Sequence, residues 1–303
     1  MVNPLAIRIH GVPMDLGQER RGVDMGPSAL RYAELQKHLE NLGHQVVDGG
    51  NITAPNIEEL RKRDTTPEDG LAHNIDAIIA VCTEVYKHTK TTLENGEIAV
   101  TLGGDHSISI GTIAGAIEHQ PNIGVLWVDA HADFNTPEIT PSGNVHGMVI
   151  SSLMGLCPPK FQIGPVALQA HQVVYIGLRD VDPKEKVALV EHGIKVFTMR
   201  DVDELGMAQV ARAMLRHFEG VEHLHISLDL DSLDPQYAPG VGTPVQGGLS
   251  YREAHLLMEV LADDGRVKSV DVVEVNPILD VTNRTAELGV ELTMSLFGRR
   301  ILL

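Results

Sequence analysis

The chain is poor in the residues that would tie it to several functional classes. Only two of its 303 residues are cysteine, Cys82 and Cys157, which excludes a disulfide framework and any CxxC zinc or redox motif. Cys82 falls in a helical pattern and Cys157 near a loop, and both are read as inert rather than nucleophilic. Basic residues are scarce as well. The 24 Lys and Arg stand against 41 Asp and Glu, a formal charge of −17 with no basic stripe. That argues against nucleic acid or an anionic membrane as partner and suits a cationic small substrate. No apolar stretch approaches the length of a bilayer span, and Met1 to Val12 lacks a signal-peptide profile, so the expected location is cytoplasmic. Gly240 to Gly248 is glycine-rich but lacks the Lys-Ser/Thr of a P-loop, which excludes nucleotide binding there.

What the chain does have is 43% hydrophobic residues, enough for a large core, and strand-like runs alternating with helix-like ones throughout. Strands are expected at Ala6–Gly11, His44–Asp48, Ile98–Leu102, Ile123–Val128, Val173–Gly177, Ile194–Thr198, 223–229 and 267–275. Helices are expected over about 28–42, 73–92, 109–119 and 207–218, with others starting near Val145, Pro183 and Arg284. Ser250 with Glu253 forms a capping-box pattern that opens one more. Residues 51–69, 134–144, 156–169 and 235–248 read as loops. This alternation, without a linker, predicts one α/β domain over residues 1–303. Its expected form is three layers: an eight-stranded, mostly parallel sheet with helices on both faces. Ligands of such folds bind beyond the C-terminal strand ends.

Three acidic segments fall at those ends: Gly103-Gly104-Asp105-His106, Asp129-Ala-His131-Ala-Asp133 and Ser227-Leu-Asp229-Leu-Asp231. A carboxylate at the end of a buried strand is costly to desolvate without positive compensation. In Asp129-Ala-His131-Ala-Asp133 a two-residue period would keep the donors on one face, with alanines leaving room for ions. Four carboxylates (Asp129, Asp133, Asp229, Asp231) and two imidazoles (His106, His131) balance two divalent ions better than one. A carboxylate-rich set with some imidazole favours Mn²⁺, and Co²⁺ or Ni²⁺ could substitute. A bridged pair ~3.5–4 Å apart would hold a water and lower its pKa toward neutrality, which is machinery for hydrolysis. Asp105 is expected to orient the site rather than bind an ion.

These segments, in this order and spacing, resemble the ureohydrolases, the arginase and agmatinase family, from Gly11-Val-Pro-Met-Asp-Leu-Gly17 to Glu274-Val-Asn-Pro277. The resemblance implies an eight-stranded parallel α/β fold, a dinuclear manganese centre and hydrolysis of a guanidinium group to urea. It places one ion with His106, Asp129, Asp133 and Asp229, and the other with Asp129, His131, Asp229 and Asp231. Asp129 and Asp229 would bridge. Asn135, Thr140, Ser142 and Asn144 match the loop that grips the α-carboxylate of arginine. Asp182, with Glu185 nearby, matches the aspartate holding the α-amino group, and Thr243 and Glu274 match residues near the guanidinium. His146 is the expected proton shuttle, and Asp133 helps stabilise the tetrahedral intermediate. The implied reaction is conversion of L-arginine to L-ornithine and urea, by a homotrimer or homohexamer.

The alternatives are a sister ureohydrolase acting on agmatine, guanidinobutyrate or formiminoglutamate, or a non-catalytic relative. The Ser142-Gly143-Asn144 stretch disfavours the first, and the full set of candidate ligands the second. Ser142 has no adjacent base and is not read as a nucleophile. His10, His44, His223 and His225 are read as structural, Trp127 as packing, and Arg20-Arg21 as loop salt bridges or a subunit contact.

Overall fold

Runs of β-branched and aliphatic residues, each four to seven long, form eight parallel strands in one sheet. They are β1 (Ala6–Val12), β2 (Gln45–Asn51), β3 (Ile98–Gly103), β4 (Ile123–Val128), β5 (Val173–Leu178), β6 (Lys195–Thr198), β7 (His223–Asp229) and β8 (Val267–Val273). Their order across the sheet is β2-β1-β3-β8-β7-β4-β5-β6. The computed structural model describes residues 4–61, 72–165 and 167–302. Part of the predicted 51–69 loop lies outside the described residues; Ile57–Arg61 within it forms a short helix.

Residues alternate between the two faces of each strand, and the core divides accordingly. Leu126 and Val128 of β4 and Val174 and Ile176 of β5 turn to one apolar layer. Val125 and Trp127, with Val173 and Tyr175, turn to the other. The first layer is covered by helices α1 (Gly26–Tyr32), α2 (Leu35–Asn41), α9 (Met207–His217), α10 (Tyr251–Asp264) and α11 (Arg284–Leu296). The second is covered by α4 (Ile75–Glu94), α5 (Ser109–His119), α6 (Val149–Leu153) and α7 (Pro183–His192). The remaining helices are α3 (Ile57–Arg61) and α8 (Met199–Leu205). Strands β3, β4, β5 and β7 are buried along their whole length, as strands covered on both faces must be, whereas the edge strand β2 is largely exposed.

The layers, the strands and the Ser250 capping box agree with the sequence reading. Two helices differ. The single helix expected over 28–42 is broken after Tyr32, because Glu34 takes a left-handed backbone (φ 59°) that no α-helix can continue. The loop between β6 and α9 contains α8, opened by a reciprocal Thr198–Asp201 capping box.

Candidate metal centre

Five adjacent strands deliver the site. His106 follows β3, Glu274 follows β8, Asp229 ends β7 with Asp231 in the turn after it, Asp129 to Asp133 follow β4, and Asp182 and Glu185 follow β5. The turn from β3 to His106 depends on Gly104. A Cβ there would lie 2.4 Å from the Met14 carbonyl oxygen and 2.6 Å from that of Val12, backbone that cannot yield.

His106 is the centre of one cluster. Its Nδ1 lies 3.1 Å from Asp129 Oδ2, 3.2 Å from Asp133 Oδ2 and 3.1 Å from Asp229 Oδ2. Yet among the described residues this buried nitrogen has no hydrogen-bond partner. Three carboxylate oxygens and a ring nitrogen therefore face one point without hydrogen-bonding one another. In the adjoining cluster His131 Nδ1 lies 3.0 Å from Asp231 Oδ2 and 3.4 Å from Asp129 Oδ1. Asp129 belongs to both groups. His106, Asp129, Asp229 and Asp231 are at most 2% exposed.

Electrostatics give these clusters their character. Burial first, and neighbouring carboxylates second, push the Asp133 and Asp229 carboxyls above the ordinary range. Asp231 moves the same way, through burial and Asp129, despite the opposing pull of His131. Burial would raise Asp129 too, but the imidazoles of His106 and His131 hold it below that range. Like charges crowded out of water are stable only with cations among them. The donor set, carboxylate with imidazole, fits hard or borderline divalent ions.

The period-two argument does not describe the β4 segment. The strand ends at Val128, and Asp133 adopts a left-handed backbone (φ 47°), so a bend brings the three donors together. Glu274 is the second left-handed residue here (φ 64°). A side chain at such a backbone costs roughly 1–3 kcal/mol and persists where the surroundings fix it.

A cavity of about 200 Å³ opens on the clusters. Asp129, His131, Asp133, Asp229, Asp231 and Thr243 line it, as do Asn135, Thr140, Ser142, Asn144, His146, Asp182 and Glu185. Thr243 donates to Asp231 Oδ2 at 2.8 Å. Thr140 Oγ1 accepts from the amides of Ser142 (3.3 Å) and Gly143 (3.1 Å), and Ser142 Oγ from that of Asn144 (3.2 Å). Both hydroxyls thus keep their protons free to donate. Asn135 Nδ2 donates to Asp182 Oδ2 at 3.0 Å, and its buried Oδ1 has no partner among the described residues. Glu185 accepts from the Phe134 amide at 2.8 Å, and burial, aided by Asp133 and Asp182, pushes its carboxyl up to about 7.

His146 and Glu274 meet, Nδ1 to Oε1, at 3.2 Å. Burial opposes charge on His146, but Glu274, Asp133 and Asp105 outweigh it and bring the imidazole to about 9. Glu274 itself does not line the cavity. Only 1% exposed, it sits behind His146 and also accepts from the His106 amide (2.9 Å) and from Gln18 Nε2 (2.8 Å). Glu274 thus reaches the cavity through His146. Asp105 stays outside the clusters and ties Gly17 N to the Ser107 turn.

Sequence reasoning missed three supports. Trp127 does more than pack: its ring stacks on His106 at 4.0 Å and its Nε1 donates to Asp129 Oδ2 at 2.9 Å. The i, i+2 spacing of Trp127 and Asp129 could have revealed it. Arg179 donates to the carbonyls of Asp231 (2.6 Å), Ser232 (3.0 Å) and Val245 (2.7 Å), pinning the Asp231 turn to the Thr243 loop. Backbone partners of this kind leave no sequence signal. Asp180, exposed at the cavity mouth, lies 3.8 Å from His131 Nε2.

Comparison with known proteins agrees with this geometry. Residues 5–298 match the model of the "Arginase family". An arginase of Bacillus caldovelox is 46% identical over 98% of this chain and 99% of its own length. The structure of the B. caldovelox enzyme superimposes with a TM-score of 0.94, covering 98% of this chain and 100% of that one. An Entamoeba histolytica arginase, solved with L-ornithine, reaches 0.89 at 33% identity, covering 98% and 99% of the two chains. Matched along nearly its whole length in both sequence and fold, the chain belongs to the arginase family.

Proposed function

We propose that the protein hydrolyses L-arginine to L-ornithine and urea with two Mn²⁺ ions, which Co²⁺ or Ni²⁺ can replace in vitro. One observation carries the reading: a single cavity joins an acidic floor suited to divalent cations to a neutral wall with free hydroxyl protons. The residues fit the metal, since His106 Nδ1 is buried, unbonded and faced by three carboxylate oxygens. One ion would be held by His106, Asp129, Asp133 and Asp229, the other by Asp129, His131, Asp229 and Asp231. Divalent ions there supply the charge that activates water for attack on a guanidinium carbon.

The protein's own groups do the rest. Thr140 and Ser142 donate to the substrate carboxylate, with Asn135 and Asn144 beside them, while Asp182 and Glu185 face the ammonium. This two-point grip fixes the guanidinium over the floor, where positioning contributes much of the rate. An amide anion cannot leave at neutral pH, so the departing nitrogen needs a proton. His146 supplies it from Nε2, because Glu274 holds Nδ1 and favours the charged ring. A homotrimer or homohexamer, which rests on the family resemblance, and a cytoplasmic location, which rests on the lack of a membrane-length apolar run, complete the proposal.

Urea release by manganese-loaded protein from arginine and from agmatine tests it. Agmatine leaves the carboxylate donors unpaired, at ~1–3 kcal/mol for each that stays buried, so arginine should have much the higher kcat/KM. Asn135→Ala should narrow the gap by harming arginine more. Equal rates on both substrates would replace this reading with an agmatinase-like one.

A further inference from the structure

Beneath the acidic floor, a line of polar side chains runs through the core along β7 and β8. His106 Nε2 lies 2.7 Å from Ser227 Oγ, which is 3.4 Å from Ser109 Oγ. Ser109 donates to Asp271 Oδ2 at 2.7 Å, as do Thr112 at 2.5 Å and His225 Nε2 at 3.1 Å. Farther on, Ser269 Oγ lies 2.8 Å from His225 Nδ1 and 2.9 Å from His223 Nε2. Every one of these side chains is at most 3% exposed.

Strand register explains the alignment. Ser227 pairs with Asp271 and His225 with Ser269, so alternate residues of two neighbouring strands share one face. Leu224, Ile226, Val270 and Val272, between them, turn to the opposite apolar layer. Apolar residues on both faces would fill the space without burying a carboxylate, so packing does not account for Asp271.

Proton bookkeeping does. A carboxylate only accepts hydrogen bonds, so Ser109 and Thr112 each turn their hydroxyl proton toward Asp271. The Ser109 oxygen is then left to accept from Ser227, and the Ser227 oxygen to accept from His106. Polarity set at Asp271 therefore passes through two hydroxyls and places a proton on His106 Nε2. Nδ1, the nitrogen facing Asp129, Asp133 and Asp229, is left as a lone pair.

We infer that Asp271 is a positioning residue: through Ser109 and Ser227 it fixes the tautomer in which His106 presents Nδ1 to a divalent cation. The inference rests on the metal-centre reading above. It also divides the polar line in two. The arm from Asp271 to His106 serves the metal, and the arm through His225, Ser269 and His223 does not.

Manganese affinity of the full chain, followed by the EPR signal of free Mn²⁺, tests this without reference to turnover. Ser109→Ala and Asp271→Asn should each weaken the tighter site by ~10–100-fold, the usual effect of removing a group that orients a metal-bound histidine. Ser269→Ala, on the other arm, should bind as wild type even if its Tm falls. In ¹⁵N-histidine-labelled, cadmium-loaded protein, the Nε2–H signal of His106 should be present in wild type and exchange faster in Ser109→Ala. Wild-type affinity in both Ser109→Ala and Asp271→Asn, or an equal loss in Ser269→Ala, overturns the inference. Wild-type protein that binds no manganese at all overturns the metal-centre reading and this inference with it.

Discussion

The two histidines of the acidic floor occupy opposite environments. The His106 side chain is 1% exposed, stacked on Trp127 and backed by Ser227. That of His131 is 25% exposed, lines the cavity and has Asp180 at the open mouth. One histidine of the centre is thus sealed into the sheet and the other belongs to the pocket wall. A ligand ring held in place before its ion arrives binds at less cost in ordering.

The largest effect should come from a residue that both clusters share. Asp129→Ala removes a donor from both groups, so metal analysis should find almost no manganese and urea release should be abolished. Full occupancy in that variant would show the two clusters to be independent. Next comes His146→Asn, which touches the cavity but neither cluster. Turnover should fall by ~10²–10⁴-fold with both ions retained, and loss of metal would instead make His146 a ligand.

A smaller effect compares the two histidines directly. His131→Ala should retain about half the manganese of wild type after dialysis against chelator. His106→Ala should retain less, because Trp127 and Ser227 lose the ring they hold. Equal losses would erase the distinction between sealed and open.

The smallest effect lies at the far end of the polar line beneath His106. Burial, with His225, His119 and Lys268 nearby, lowers the His223 pKa to about 3, against an ordinary 6.5. Between these values the unfolded chain binds the proton and the folded one does not. The stabilising contribution is therefore complete above pH 6.5 and is lost as pH falls toward 3, at up to about 1.4 kcal/mol per unit. Thermal melts of wild type and His223→Asn across this window should diverge, the variant losing less. Parallel curves would remove His223 as a source of acid sensitivity.

Much of this was legible in the sequence because it depends on strands and on the residues just past their ends. Asp129-Ala-His131-Ala-Asp133 follows directly on the end of β4 at Val128, although the left-handed bend at Asp133 that gathers its donors has no sequence signal. Residues whose partners are distant or backbone were not legible. Glu274 is held by Gln18 and the His106 amide, 256 and 168 residues away in loops after β1 and β3. Arg179 grips carbonyls, which every residue has. Trp127 was judged on its size, although strand periodicity sets it on the same side as Asp129. The split between α1 and α2 turned on one backbone angle at Glu34, a residue type with no special preference for it.

The left-handed backbone of Asp133 sets a limit on how this protein can be improved. Glycine takes that conformation freely, and Asp133→Gly would also withdraw one of the crowded carboxylates. The metal-free fold should gain stability from the exchange while the ligand is lost. A search for heat-resistant variants scored on survival of the fold alone would enrich such molecules, robust and inert. Selection on catalysis must hold this position against a standing thermodynamic pull toward something simpler.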